Sequence, residues 1–290
     1  MAHVDTPTTL QVRSVISADG TVIAVLSTAP GPGVVVVPGV LRRAHHYREL
    51  AGRLGRSRPV HVVERRGRGG SGPLGAGYTI EREVEDVLAV LDATGSDQVL
   101  GHSYGGLVGL HVALRRPLAA LACYEPGVVL DGALDLGWIP GFARHLGRGR
   151  RTAALATMLA GIGLSGSQRF PRAAGLPLAA LILLLGGRQE RIDTREMVDR
   201  LGAEVGELER LASDGTRYLA VSTPTLLLAG SGGARWNHYA VRRLAELLPA
   251  ATMQVIEGAG HNAPDLAPGA LVPELDAFLT ARQGRDTPGG

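Results

Sequence analysis

The sequence predicts an α/β fold, with a mostly parallel, doubly wound sheet, helices on both faces and an inserted helical lid. Short β-rich segments alternate with segments of helical periodicity up to residue 125, and the alternation resumes at residue 223. Such alternation is typical of parallel strands that are joined by covering helices. A chain of 290 residues is long enough for one large domain of this class with an inserted subdomain.

The first strands carry the clearest local signals. Residues 10–28 contain two β-rich segments separated by Asp19-Gly20, a pair that favours a two-residue hairpin turn. Residues 33–38 (GVVVVP) form a continuous β-branched run, as expected of a strand that is buried on both faces. Further strands are predicted at residues 60–64, 98–100, 118–124, 225–229 and 252–257, and helices at residues 46–54, from 79 onward, 104–115, 239–248 and 271–281.

Residues 126–222 lack this alternation and predict several helices broken by Gly and Pro. The longest apolar run, residues 176–185, is about half the length of a membrane span, so we expect a buried or lid helix there. We predict an α/β core formed by residues 1–125 and 223–282, with residues 126–222 as a lid over the C-terminal edge of the sheet. The tail at residues 283–290 is predicted to be disordered.

Composition limits the functional class. Apolar residues make up 45% and charged residues 20% of the chain, which is typical of a soluble globular protein. The net charge of only +3 does not favour nucleic-acid binding. All 30 positive side chains are Arg, which excludes a Schiff-base lysine and a P-loop lysine. The single cysteine, Cys123, excludes an intrachain disulfide.

The sequence also predicts a location and a set of partners. The N-terminal segment MAHVDTPTTL has no charged region followed by an apolar stretch, so we expect no signal peptide and a cytoplasmic protein. No metal-ligand spacing or dinucleotide fingerprint is present, so we expect no cofactor and no metal. We expect a small-molecule substrate, no nucleic-acid or membrane partner, and a monomer or a homodimer.

Residues 101–105 (GHSYG) match the G-x-S-x-G pattern of a nucleophile elbow, between a predicted strand and a predicted helix. The pattern needs glycine because the serine lies on a very tight turn, where side chains two positions before and after it would clash. The turn exposes Ser103 at a helix N-terminus, where backbone N–H groups and the helix dipole favour a developing anion. The alternative is a glycine-rich β-to-α turn without chemistry.

A serine nucleophile needs a general base, and His261 is the best candidate among the nine histidines. It lies in the segment EGAGH, directly after the last predicted strand, at the sheet edge where Ser103 is expected. His102 is expected to pack beside the nucleophile. His45 and His46 lie near the end of the first buried strand, and they either line the pocket or begin a solvated helix.

The sequence resembles the α/β-hydrolase superfamily over about residues 20–280. The resemblance is carried by segments that occur in that family's order: VVPG, VVERRGRGGSG, GHSYGG, YEP, PTLLLAG and EGAGH. The sequence is most similar to lidded, serine esterase-like hydrolases of actinobacterial type, which carry YEPP after the sixth strand. The family's chain order is serine first and histidine last. Because dehalogenases of similar fold use an aspartate nucleophile, Ser103 disfavours dehalogenase and epoxide hydrolase chemistry.

The carboxylate that should orient His261 departs from the family's usual pattern. In this family the acid usually follows the strand after the lid, but residues 230–236 contain no Asp or Glu, and Gly233 occupies the usual position. Glu125 ends the preceding strand at the same sheet edge, and some haloalkane dehalogenases place a catalytic glutamate there. We assign the acid role to Glu125. The alternative is a solvated Glu125, with the acid missing or elsewhere, for example Asp265.

Two backbone N–H groups are predicted to form the oxyanion hole. The first buried strand ends in Pro38-Gly39-Val40, where the family usually has His-Gly and the residue after the glycine supplies one donor. Because a backbone donor does not depend on the side chain, Val40 keeps this role. The second donor is the N–H of Tyr104, directly after the nucleophile.

The predicted reaction is acyl transfer to water through an acyl-enzyme on Ser103, with an ester, thioester or lactone of a small apolar molecule as the substrate. The alternatives are carbon–carbon bond hydrolysis, acyl transfer or cyclisation on a biosynthetic intermediate, and a catalytically weak binder on the same scaffold. Arg65 and Arg66 are predicted to be structural. The arginines of the lid are predicted to form a solvated face, with attraction of an anionic substrate as the alternative.

Overall fold

The computed structural model describes residues 10–163, 172–185 and 187–283. The strands are β1 (Gln11–Ile16), β2 (Val22–Ser27), β3 (Val34–Val37), β4 (Val60–Val63), β5 (Gln98–His102), β6 (Ala120–Tyr124), β7 (Thr225–Gly230) and β8 (Ala251–Ile256). The helices are α1 (Arg48–Leu54), α2 (Ile80–Thr94), α3 (Tyr104–Arg115), α4 (Ile139–Gly147), α5 (Arg151–Ile162), α6 (Arg172–Leu184), α7 (Arg188–Leu211), α8 (Arg235–Leu247), α9 (Ala263–Leu266) and α10 (Val272–Thr280). Short 3-10 helices lie at Ala44–Tyr47, Thr216–Ala220 and Pro268–Ala270.

The eight strands form one sheet in the order β1-β2-β4-β3-β5-β6-β7-β8. Strand β2 is antiparallel to both of its neighbours, and every other neighbouring pair is parallel. This mostly parallel sheet confirms the predicted fold class. Because β3, β5, β6, β7 and β8 run in one direction, their carboxyl ends lie at one edge, and every predicted site residue follows one of these ends.

Alternate residues of β3 face opposite hydrophobic layers. Val35 and Val37 join the cluster that contains the buried side chains of α2, α3 and α8, whereas Val34 and Val36 join the cluster that contains those of α1 and α10. All four side chains are buried. The run GVVVVP therefore forms a strand with both faces covered, as its composition predicts.

The β1–β2 hairpin differs from its predicted form. Ile16 pairs with Val22, and the N–H of Ser17 donates to the carbonyl of Thr21 at 2.9 Å, so the loop contains three residues instead of two. The N–H of Gly20 closes a turn onto the carbonyl of Ser17, also at 2.9 Å. Gly20 then takes a φ of +83°, which suits glycine at the last position of a three-residue hairpin loop.

The helices α4–α7, between β6 and β7, share a hydrophobic cluster of their own. Its buried members are Ile139, Phe142, Ala154, Leu155, Ala156, Met158, Leu159, Ala179, Leu183, Val198, Leu201 and Val205. Residues near both ends of the predicted insertion pack instead with the sheet: Val128, Leu130, Leu211, Tyr218 and Val221. The division of the chain at residues 126 and 222 stays a prediction.

The apolar run at residues 176–185 covers most of α6. Ala179 and Leu183 are buried, whereas Leu176 and Leu181 are exposed. Among its described side chains, the helix thus packs along one side. Within the described ranges, no helix combines the length and the apolar character needed to cross a bilayer.

Several elements begin or end one to four residues away from their predicted bounds. Helix α8 begins at Arg235, earlier than the predicted start at residue 239, because the buried position of its first turn is the polar residue Asn237 and not an apolar one. This early start brings Asn237 onto the helix, facing the sheet edge. Gln283, assigned to the disordered tail, ends a turn in which its N–H donates to the carbonyl of Thr280 at 3.1 Å. Residues 284–290 lie outside the described residues.

We expect Gly101→Ala to destabilise the fold, because a Cβ there would lie 2.3 Å from the carbonyl oxygen of Gly105. Overpacking against rigid backbone should lower the free energy of unfolding by roughly 1–3 kcal/mol or more. The control is Gly206→Ala in α7, where a Cβ would meet no atom within 4 Å. Because alanine favours a helix more than glycine does, this variant should have a free energy of unfolding about 1 kcal/mol higher. Urea unfolding of both variants checks this, and equal stabilities would contradict it.

Candidate active site

Ser103 lies at the turn between β5 and α3, in a strained backbone conformation. Its φ of 53° and ψ of −119° are rare for residues other than glycine. A Cβ on Gly101 would clash with Gly105 within the turn, as the sequence pattern predicts. A Cβ on Gly105 would instead lie 2.0 Å from the carbonyl oxygen of Val37, on the neighbouring strand. Gly101 therefore permits the tight turn itself, whereas Gly105 permits the turn to pack directly against the end of β3.

His261 follows β8, and its ring lies between Ser103 and Glu125. Nε2 is 3.2 Å from Oγ of Ser103, and Nδ1 is 2.6 Å from Oε2 of Glu125. Because an ionised carboxylate only accepts hydrogen bonds, the proton of the neutral ring belongs on Nδ1. Nε2 is then free to accept the hydroxyl proton of Ser103. The structure thus brings together the three residues that the sequence assigned as nucleophile, base and acid.

Glu125 follows β6 and is fully buried. Its Oε1 accepts the N–H of Gly230 at 3.0 Å, and its Oε2 accepts the side-chain amide of Asn237 at 2.7 Å as well as His261. Burial by itself would raise the pKa of this carboxyl, but the hydrogen bond and charge of His261, with Asn237 and Gly230, hold the pKa below its usual value. Glu125 is therefore ionised where it contacts His261.

Gly233 lies after β7, where the family usually carries the acid. A Cβ at this position would lie 2.1 Å from Oε1 of Glu125, so the Glu125 carboxylate fills the space that a side chain at 233 would need. Asp265, the alternative acid, forms an ion pair with Arg42 at 2.6 Å. Within the described chain, Asp265 makes no hydrogen bond to His261, so Glu125 is the carboxylate that contacts the ring.

The two predicted oxyanion donors come from segments beside the nucleophile. A Cβ on Gly39 would lie 3.1 Å from Cβ of Ser103, which places the loop that carries Val40 against the nucleophile. Tyr104 is the first residue of α3. The N–H groups of Val40 and Tyr104 donate to no other residue in the described ranges. Both groups are therefore available to a substrate oxygen.

A hydrogen-bond chain that the sequence analysis missed links two loops of the site. The N–H of Gly39 donates to the hydroxyl of Tyr47 at 3.1 Å, the Tyr47 hydroxyl donates to Nδ1 of His102 at 2.6 Å, and His102 Nε2–H donates to the carbonyl of His261 at 2.8 Å. Burial, with a smaller effect of the His261 charge, lowers the pKa of His102 well below its usual value. The neutral ring can therefore accept on one nitrogen and donate on the other.

A cavity of about 430 Å³ opens beside Ser103 and His261. Its apolar walls include Leu41, Trp138, Met158, Leu159, Val205 and Leu208, so the helical insertion contributes a large part of the lining. His46 also lines the cavity, which agrees with one of the two alternatives for this residue. Burial, with a smaller effect of the His45 charge, lowers the pKa of His46 to about 4. The size and the lining are those of a small-molecule site.

The arginines occupy two kinds of environment. Arg65 and Arg66 are buried, and they pair with Glu83 at 2.6 Å and with Asp86 at 2.7 Å, respectively. These contacts fit the structural role predicted for both residues. The exposed arginines of the insertion include Arg144, Arg148, Arg150 and Arg151. None of these four lines the cavity beside Ser103, which agrees with a solvated face.

A family model described as "Alpha/beta hydrolase family" matches residues 34–274. Lipase LipV of Mycobacterium tuberculosis is 38% identical over 96 residues, which are 32% of this chain and 33% of LipV. Polyketide synthase ThaQ of Burkholderia thailandensis is 30% identical over 264 residues, which are 88% of this chain and only 12% of ThaQ. The matches thus span a third or less of the length of these relatives.

A solved structure is similar over nearly the whole chain. The crystal structure of an alpha/beta hydrolase from Sphaerobacter thermophilus is 28% identical, with a TM-score of 0.75. The similarity covers 92% of this chain and 99% of that chain. The similarity therefore includes the sheet and most of the helical insertion, in a protein of similar length.

Proposed function

The chain belongs to the alpha/beta hydrolase family, and we propose that it is a serine hydrolase that cleaves an ester, thioester or lactone of a small apolar molecule. One observation carries the proposal: the His261 ring lies 3.2 Å from Oγ of Ser103 and 2.6 Å from Glu125. A hydroxyl, an imidazole and a buried carboxylate in this order are the parts of an activated serine nucleophile.

In the proposed reaction, Oγ of Ser103 attacks the substrate carbonyl while Nε2 of His261 takes the hydroxyl proton. Glu125 accepts the hydrogen bond from Nδ1, so its negative charge stabilises the ring as the ring becomes positive. The protonated ring then gives its proton to the leaving alcohol or thiol, which leaves the acyl group on Ser103. A water molecule, deprotonated by the same ring, releases the acid and restores the hydroxyl.

The N–H groups of Val40 and Tyr104 bind the carbonyl oxygen as it gains negative charge. Tyr104 begins α3, so the helix dipole adds to its hydrogen bond. Donors that are held in place before the reaction stabilise the transition state without reorganisation, and the loss of one such donor costs about 10²–10³-fold in kcat. The apolar walls of the cavity favour a substrate with an apolar acyl or alcohol group.

Ser103 should react covalently with a fluorophosphonate, because the probe needs an activated hydroxyl. Wild-type protein should also hydrolyse p-nitrophenyl butyrate, with a kcat at least about 10³-fold above that of Ser103→Ala. Intact-protein mass spectrometry and p-nitrophenol release measure the two effects. Ser14→Ala changes an exposed serine on the edge strand β1. It is the control and should behave as wild type. A folded wild-type protein with neither labelling nor turnover would contradict the proposal and favour a binding protein.

Glu125→Gln should lower kcat for the same ester by about 10²-fold or more, because an amide can donate to Nδ1 and favour the wrong ring tautomer. Gly233→Ala should act in the same direction, since its Cβ would displace the Glu125 carboxylate. Glu246→Gln removes an exposed carboxylate of α8 and should leave kcat unchanged. Steady-state kinetics of the three variants test the acid role. An effect of Glu125→Gln below about threefold on kcat would sink it.

A second candidate is acyl transfer or cyclisation on a biosynthetic thioester. It is favoured by the similarity to polyketide synthase ThaQ, which extends over 88% of this chain. The same acyl-enzyme would then be captured by a hydroxyl or an amine instead of water.

An N-acetylcysteamine thioester of a long-chain hydroxy acid separates these candidates. A hydrolase should release the linear hydroxy acid, because water captures the acyl group, and liquid chromatography with mass spectrometry identifies the product. Ser103→Ala is the control and should release neither product. A lactone as the main product would favour the second candidate.

A further inference from the structure

Two buried arginines of the segment RRGRGGSG reach the loop that carries the Val40 donor. Nη1 of Arg68 donates to the carbonyl of Gly39 at 2.8 Å and to that of Arg42 at 2.6 Å. Nη1 of Arg65 donates to the same Gly39 carbonyl at 3.3 Å. The Gly39 carbonyl thus accepts hydrogen bonds from two charged donors, which are stronger than neutral ones.

The carbonyl of Gly39 and the N–H of Val40 belong to one peptide group. A trans peptide is planar, and its C=O and N–H point in opposite directions. Hydrogen bonds that hold this carbonyl therefore also set the direction of the Val40 N–H. The other side of Gly39 is held as well, because its own N–H donates to the Tyr47 hydroxyl at 3.1 Å.

Arg68 also spans the strained part of this loop. Leu41 has a φ of 53°, which is uncommon for a residue with a bulky side chain. The two backbone hydrogen bonds of Arg68 lie on either side of it, at Gly39 and Arg42. One guanidinium nitrogen therefore holds together the two ends of the strained segment.

The helical insertion supplies an anion that contacts both arginines. Glu204, on α7, is 3% exposed. Its Oε1 lies 2.6 Å from Nη2 of Arg65 and also contacts Nη2 of Arg68. From the core, Glu83 pairs with Arg65 at 2.6 Å. Two buried cations thus face two buried carboxylates, and one of these carboxylates comes from the insertion.

We infer that Arg68, held by Glu204, is a positioning residue for the Val40 donor, and that the insertion thereby helps to form the oxyanion hole. The inference rests on the proposed serine-hydrolase function. The guanidinium charge on the Gly39 carbonyl also polarises the peptide, which makes the Val40 N–H a better donor. Helix α7 lines the cavity beside Ser103, with Glu204 among the lining residues, so the same helix borders the cavity and holds the group that sets this donor.

Arg68→Gln tests the inference, with Arg66→Gln as the matched control. Arg66 belongs to the same segment, is buried and pairs with Asp86 at 2.7 Å, but within the described structure it makes no hydrogen bond to residues 38–42. Both variants lose a buried ion pair, so both should lose thermal stability. Only Arg68→Gln should lower kcat for p-nitrophenyl butyrate, by about tenfold or more relative to Arg66→Gln, with KM changed by less than about threefold.

The inhibition constant of a trifluoromethyl ketone provides a second measurement, which does not change when the folded protein only becomes less stable. Oγ of Ser103 adds to the carbonyl carbon of the ketone while His261 takes the hydroxyl proton, which gives a tetrahedral oxyanion. The inhibition constant should therefore rise in Arg68→Gln by about the factor by which kcat/KM falls. The constant should stay at the wild-type value in Arg66→Gln. Glu204→Gln keeps the side-chain volume and both arginines, and it should shift both quantities in the same direction as Arg68→Gln.

The outcomes separate the inference from the proposed function. Equal kcat values and equal inhibition constants in Arg68→Gln, Glu204→Gln and Arg66→Gln would overturn the positioning role, while labelling of wild-type Ser103 would leave the proposed function standing. Absence of labelling in the folded wild-type protein would overturn the proposed function itself. If circular dichroism shows that Arg68→Gln does not fold, Glu204→Gln against Arg66→Gln decides the result.

Discussion

The arrangement of the site depends on a close backbone contact between the turn at Ser103 and the end of β3. Gly105 approaches the carbonyl of Val37 so closely that even a methyl group would not fit between them. On the other side of the turn, the N–H of Gly127 donates to the carbonyl of Ser103 at 2.7 Å. The turn is thus held against the ends of both neighbouring strands, and this contact sets the distance from Ser103 to the Val40 loop.

Backbone strain is concentrated at the same three strand ends. Leu41 after β3, Ser103 after β5 and Glu125 after β6 are three of the four non-glycine residues with left-handed φ values in the described chain. Such conformations cost about 1–3 kcal/mol each and persist only where the surroundings hold them. Here the holding groups come from other segments. Arg68 spans Leu41, the N–H of Gly127 donates to the carbonyl of Ser103, and the N–H of Glu125 donates to the carbonyl of Leu228 on β7.

Buried charge connects the helical insertion to the core of the sheet. A guanidinium presents several donors in a fixed fork, so one side chain can serve a carboxylate and a backbone carbonyl together, which an ammonium group does less well. Arg68 contacts Glu204 with one nitrogen and two loop carbonyls with the other. Because the cations lie beside the loop that carries Val40 and an anion lies on α7, short, charged hydrogen bonds connect the insertion to that loop.

The sequence by itself determined the α/β order of the elements, the elbow at Ser103 and the loop of His261, because these follow from local periodicity, glycine spacing and chain order. It also predicted that Glu125 lies at the same sheet edge as Ser103 and His261, since the carboxyl ends of parallel strands meet there. Only the tertiary structure decided that Glu125 and not Asp265 contacts His261, because the room for that carboxylate depends on the missing side chain of Gly233. The tertiary structure also decided three further features: the length of the first hairpin loop, the start of α8 and the hydrogen-bond chain between the loops of Gly39 and His261. Contacts between residues far apart in the chain leave no periodic signal in the sequence.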